Sequence, residues 1–153
     1  MLEQTSPLDS DHEGLPVADA GRSRLLVIDD DNLYRMIICR MAVKAGYAPA
    51  GAATYDEAAK LLAKTQFDCI TLDLSLGDHG GVDMMHHLRD IGCKAPIIIV
   101  SGCDGATCRE SAGVAKLLSL NVLETIPKPV DLVVLRFWLD RLKGQHESAA
   151  VAA

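Results

Sequence analysis

The sequence predicts a doubly wound α/β domain, a five-stranded parallel sheet with helices on both faces. Three observations predict it. Short apolar runs recur along the chain, segments of helical spacing fall between them, and several runs are almost continuously hydrophobic, as strands covered on both faces are. Alternating strands and helices require right-handed crossovers, which leave neighbouring strands parallel. With 153 residues, 49% of them hydrophobic, the chain is the size of one domain and can build a buried core.

Strands are expected at "RLLVID" (24–29), "YAPAGA" (47–52), "FDCITLD" (67–73), "PIIIVS" (96–101) and "VLETI" (122–126). After the first, Leu33, Ile37, Met41 and Ala45 recur at helical spacing, and Gly46 offers a stop. After the second, Thr54 and Glu57 have the spacing of a capping box, with Ala58, Leu61 and Leu62 on one face. Met84, Leu88 and Ile91 precede Gly92 after the third, and the Met84/Met85 pair is expected to place one side chain in the core and one on the surface. Leu132, Leu135, Leu139 and Leu142 follow Asp131, a candidate cap, after the fifth. Between 104 and 119 the pattern is less regular, and Gly105 and Gly113 weaken a helix there. Residues 1–22, rich in Asp, Ser, Gly and Pro, and 144–153, "GQHESAAVAA", are expected to be flexible tails around a folded domain at 23–143.

A net charge of −6 and a pI near 5.2 argue against a surface for nucleic acid or anionic membrane. Cys39, Cys69, Cys93, Cys103 and Cys108 lack paired zinc-ligand spacing and sit mostly in apolar segments, as reduced thiols do. The acidic amino terminus has neither the basic start nor the apolar stretch of a secretory signal, and no segment reaches membrane-spanning length. A cytoplasmic location is expected.

In doubly wound sheets, ligands bind outside the carboxyl ends of the strands. There the sequence gathers Asp29 and Asp30 after the first strand, Asp73 after the third, Ser101 at the end of the fourth and Lys128 in the turn after the fifth. Carboxylates suit magnesium, which takes few protein ligands and keeps several waters, so Asp30 and Asp73 are the candidate direct ligands. A carboxylate can also attack phosphorus if cationic groups neutralise the charge that develops on the phosphoryl oxygens. Asp73 is the candidate nucleophile, because it ends a buried strand and opens the loop "SLGDHGG". Lys128 would pair with it at rest and with a phosphoryl oxygen afterwards, while the Ser101 hydroxyl would donate to another oxygen. Taken singly, Asp29 to Asp31 could be a solvated turn with a helix cap, and Ser101 a turn hydroxyl. The set in this order is stronger than its members.

The segments "VIDDD", "TLDLS…GG", "IIIVSG" and "IPKPVD" together resemble the receiver domain of bacterial two-component response regulators over approximately residues 23–143. The resemblance implies a flavodoxin-like sheet in the order 2-1-3-4-5, with Asp73 accepting a phosphoryl group from a sensor histidine kinase or a phosphotransfer protein. It implies Mg2+ held by Asp30, Asp73 and the main-chain carbonyl of Ser75, with Asp29 in support, and a cis Lys128–Pro129 peptide. Asp31 then faces the start of the first helix. Several positions depart from the family. The position three before the lysine, commonly aromatic and part of a switch, is Thr125; the loop after Asp73 lacks the frequent proline but keeps Gly81; and the stretch from Ser101 to Lys128 is longer than usual. Ser75 and Cys103 stand where the family tunes hydrolysis of the acyl phosphate, and neither is an acid or amide that would orient an attacking water.

The reading that follows is a stand-alone phosphoryl-accepting signalling switch that acts on a downstream protein target rather than on nucleic acid or membrane, and not an enzyme beyond self-catalysed phosphotransfer and autodephosphorylation. Two alternatives compete with it. A non-phosphorylated adaptor on the same fold is permitted by Thr125. A phosphatase of the haloacid-dehalogenase type would use an Asp-x-Asp nucleophile motif, whereas Asp73 is followed by Leu74 and Ser75.

Overall fold

The computed structural model describes residues 21–76, 80–102 and 104–152, with side chains through Gln145. Strands and helices alternate strictly: β1 (Ser23–Ile28), α1 (Asn32–Lys44), β2 (Tyr47–Ala52), α2 (Tyr55–Lys64), β3 (Cys69–Leu72), α3 (Gly80–Asp90), β4 (Ile97–Ser101), α4 (Gly105–Leu117), β5 (Val122–Pro127) and α5 (Leu132–Ala152). All strand pairs are parallel, and the sheet order is β2-β1-β3-β4-β5. Order and composition agree. The interior strands β3 and β4 are buried at every residue, whereas the edge strands β2 and β5 are only partly so.

Side chains alternate across a strand, so each interior strand feeds two cores. Leu25 and Val27 of β1 join Ile98 and Val100 of β4 on one face, beneath Ile38 and Ala42 of α1 and Leu135 and Leu139 of α5. Leu26 and Ile28 join Ile70, Leu72, Ile97 and Ile99 on the other, beneath α2, α3 and α4. Tyr47 fixes the first packing further, since its buried hydroxyl donates to the Leu139 carbonyl at 2.7 Å.

The caps explain where helices begin. Asp31 accepts from the N–H groups of Leu33 and Tyr34, Thr54 from Glu57 N–H, and Asp131 from Val133 and Val134 N–H. The Glu57 carboxylate reaches back to Ala53 N–H, one residue before the cap. Gly46 adopts φ 91° where α1 ends, a left-handed conformation that glycine takes without steric cost.

Four expectations are corrected. The weakly patterned segment after Ser101 forms α4 as a regular 13-residue helix, because Asp104 caps it through Thr107 N–H at 2.7 Å and buried Ser111 and Ala115 anchor one face. The carboxyl-terminal stretch continues α5 through Gly144 to Ala152 instead of trailing off. One glycine costs about 1 kcal/mol in a helix, and Gln, Glu and Ala residues around it favour the helix. Met84 and Met85 are both fully buried, on the face of α3 against the sheet. Cys39, Cys69 and Cys93 are free thiols, but Cys108 is disulfide-bonded, so the expectation of reduced thiols fails there. The expected amino-terminal tail lies almost wholly outside the described residues, as does Cys103. No helix among the described residues is long and apolar enough to cross a membrane.

Candidate functional site

β1 and β3 are adjacent, with Ile28 paired to Leu72, so the residues that follow them emerge side by side. Asp29 and Asp73 therefore start from neighbouring positions at one end of the sheet. Backbone bonds hold both there: Asp73 N–H donates to the Ile28 carbonyl at 2.9 Å and Asp29 N–H to the Ala52 carbonyl at 3.0 Å. Both side chains are buried, at 1% and 3% exposure, while Asp30 beside them is exposed. One carboxylate oxygen from each of Asp29, Asp30 and Asp73 falls within a 4.8 Å cluster.

Three carboxylates so close repel one another unless a cation intervenes. Lys128 supplies one. Its Nζ lies 3.0 Å from Asp29 Oδ2 and 3.3 Å from Asp73 Oδ2, and it donates at 3.3 Å to Asp29 Oδ1. β5 delivers it: Lys128 N–H donates to the Ser101 carbonyl at 3.0 Å, so the ends of β4 and β5 are tied together beside β3. The Lys128–Pro129 peptide is cis. Ser101 itself is fully buried at the end of β4. Ser75, exposed two residues beyond Asp73, donates its N–H to Asp73 Oδ1 at 3.1 Å. Thr125 is half-buried in β5 and brings no ring toward the site.

The electrostatics follow from this crowding. Burial raises the Asp29 carboxyl above the ordinary range, against the Asp31 N–H bond and the Lys128 ammonium, which lower it; Asp73 adds to the rise. Burial alone would lower the Lys128 ammonium, but the hydrogen bond to Asp29 and the charges of Asp73 and Asp29 outweigh it and leave it raised. Asp29 Oδ2 is buried and faces the Lys128 ammonium at 3.0 Å as an ion pair, with no hydrogen bond of its own. A buried acceptor in an all-carboxylate cluster is the donor chemistry that a hard divalent cation satisfies, so the residues fit magnesium.

Gly81 shapes the wall of the site. A Cβ there would stand 2.6 Å from Leu74 Cα and 3.1 Å from the Asp73 carbonyl oxygen, so only glycine lets α3 approach the backbone that carries Asp73. Its N–H donates to the Leu74 carbonyl at 2.8 Å. Two contributors escaped the sequence reading. Arg35 donates through Nη1 to the Asp29 carbonyl at 2.8 Å and also bonds Asn32. Tyr34 places its ring against Lys128, with Nζ 4.4 Å from the centroid. Their position in the first turn of α1, just after the acidic run, was the available signal.

Comparison with known proteins identifies the family. The model of the response regulator receiver domain matches residues 25–140. The chain is 33% identical over 79 residues to the chemotaxis protein CheY of Thermotoga maritima, covering 51% of this chain and 66% of that one. It is 26% identical over 114 residues to the Regulator of RpoS of Escherichia coli, covering 74% of this chain and 32% of that protein. The chain thus spans about two thirds and about one third of the lengths of these two relatives. Among solved structures, a response regulator from Burkholderia pseudomallei with a phosphorylated aspartic acid, calcium ion and citrate is 26% identical, with a TM-score of 0.65 over 84% of this chain and 72% of that one.

Proposed function

Since the chain belongs to the family of response regulator receiver domains, we propose that it accepts a phosphoryl group on Asp73 from a sensor histidine kinase or a histidine phosphotransfer protein. It then signals through phosphorylation-dependent contacts with a protein target. The observation that carries this reading is the convergence of Asp29, Asp30 and Asp73 on one point with Lys128 bridging two of them. A structural neighbour that holds a phosphorylated aspartic acid and a calcium ion supports it.

In this reading a carboxylate oxygen of Asp73 forms a bond to phosphorus as the bond from phosphorus to the donor breaks, and the bonding pair leaves with the donor. Lys128, next to Asp73 Oδ2 at rest, turns to a phosphoryl oxygen. Ser101 lies at the end of the adjoining strand, where its hydroxyl would donate to another oxygen. Asp30, Asp73 and the Ser75 carbonyl would hold magnesium, with Asp29 in support. When bound, the ion neutralises charge on the carboxylates and the incoming group. The domain would be a switch rather than a turnover enzyme, as this family generally is.

The test is intact-mass measurement after incubation with acetyl phosphate, with and without magnesium, beside an Asp73→Asn control. A magnesium-dependent, hydroxylamine-labile adduct absent from the control is the expected result. An adduct of equal yield on the Asp73→Asn variant would overturn the choice of nucleophile, and no adduct under any condition would favour the adaptor reading.

A further inference from the structure

Lys128 is held by three groups, and the function above uses two of them. The third is the ring of Tyr34, half-buried in the first turn of α1, with the ammonium 4.4 Å from its centroid. A cation over an aromatic face is attracted by the ring quadrupole, and the attraction strengthens where water is kept away. Lys128 meets that condition, with a side chain 15% exposed.

The ring differs from a carboxylate in what it leaves behind. Asp29, Asp30 and Asp73 already crowd the site with negative charge, and another acid that anchored the lysine would repel an incoming phosphoryl group. Tyr34 holds the ammonium without adding charge. Its attraction also has no single acceptor atom, so the ammonium can swing from Asp73 toward a phosphoryl oxygen while staying over the ring. The ring itself is fixed by the start of α1, where Tyr34 N–H donates to the Asp31 cap at 3.2 Å and the next residue, Arg35, grips the Asp29 carbonyl. The site's aromatic group thus comes from α1, while β5 offers Thr125.

We propose that Tyr34 is a positioning residue that holds the Lys128 ammonium beside Asp73 and speeds phosphoryl transfer. This rests on the phosphoacceptor reading, and the experiment keeps the two apart. The rate of magnesium-dependent phosphorylation by acetyl phosphate is measured for wild type, Tyr34→Phe and Tyr34→Leu, together with the proton shifts of the Lys128 ε-methylene in metal-free protein. The expected result is a wild-type rate in Tyr34→Phe and a loss of roughly three- to tenfold in Tyr34→Leu. The ε-methylene, shifted upfield by the ring in wild type and Tyr34→Phe, should move downfield in Tyr34→Leu. A wild type that takes no phosphoryl group would sink the phosphoacceptor reading and this role with it. A wild type that is phosphorylated while Tyr34→Leu keeps pace would overturn the role of Tyr34 alone. Should Tyr34→Leu fold poorly, fluorinated phenylalanines at position 34 keep the shape and weaken the quadrupole. The rate should then fall with each added fluorine, and a flat series would overturn the proposal.

Discussion

Two aspartates bracket β3, Asp68 at its amino end and Asp73 at its carboxyl end, and their surroundings are opposite. Asp68 is half-buried and accepts Arg24 N–H at 2.7 Å, while its own N–H donates to the Arg24 carbonyl at 2.8 Å, so its carboxylate closes the pairing of β1 with β3. Asp73 is buried against Asp29 and Asp30, and it shares one lysine with Asp29. One residue type thus does structural work at one end of a strand and is held under repulsion at the other. The difference lies in the neighbours: the Asp68 carboxylate accepts a backbone N–H from the next strand, whereas the Asp73 carboxylate stands beside two others. Between them lie the fully buried Cys69 to Leu72, whose apolar side chains belong to the two cores.

The largest effect tests that division. Ile70→Ala removes a side chain that is 0% exposed and should cost about 2–5 kcal/mol in urea denaturation. The cost should be the same with and without magnesium, because Ile70 packs in the apolar core and not among the site carboxylates; a cost that changes with magnesium would break the separation of core from site. Gly81→Ala comes next. Its Cβ would press on the Leu74 backbone at 2.6 Å, so a loss of about 1–3 kcal/mol is expected. Slower phosphorylation should accompany it, since Leu74 is the neighbour of Asp73. Wild-type stability and rate in that variant would mean that α3 can move away from the site freely.

How far these contrasts were legible in the sequence depends on the range of the interaction. Strand interiors were readable because continuous apolar runs such as "IIIVS" have few alternatives, and the meeting of the three aspartates with Lys128 because these chemical types fall at successive strand ends. The cap role of Asp31 was readable as well, since the bonds to Leu33 and Tyr34 N–H are local. The position of Tyr34 against Lys128 was not, because a ring and a cation from distant segments meet only through the sheet order. Gly105 and Gly113 misled about α4 because their propensity cost is outweighed by the Asp104 cap and by burial of Ala115, and burial is not visible in a local pattern. The Met84/Met85 pair misleads for the same reason: α3 turns a wide face to the sheet, which buries both methionines.

The site carboxylates are predicted to oppose folding when no metal is bound. Asp29→Asn removes one buried negative charge from that cluster, so it should stabilise the protein in chelator by about 1–3 kcal/mol, within the range for two like charges about 4 Å apart between bulk water and a protein surface. It should also weaken magnesium binding in a fluorescence or calorimetric titration. The pH dependence has a definite sign. Burial raises the Asp29 carboxyl, so the folded chain holds that proton more tightly than the unfolded one. The stability from this group is complete below the unfolded value of about 3.9 and is lost as pH rises through the raised folded value. Asparagine cannot ionise, so the gap between variant and wild type should open as pH climbs through that window. A gap that stays constant with pH would mean that Lys128 already compensates Asp29 in full.

Asp68→Ala gives the smallest effect and the sharpest contrast, because its sign should be opposite. The substitution leaves Arg24 N–H without its carboxylate, but water can reach a half-buried donor and replace part of the bond. Loss of this bond should cost about 0.5–1.5 kcal/mol. Magnesium affinity and the phosphorylation rate should not change, since Asp68 stands at the other end of β3 from Asp73. Measured side by side by denaturation and by metal titration, the two variants should move stability in opposite directions, and only Asp29→Asn should move the metal. If Asp68→Ala also weakened magnesium binding, the two ends of β3 would be coupled through the strand, and the carboxylate that closes the β1–β3 pairing would belong to the site as well as to the fold.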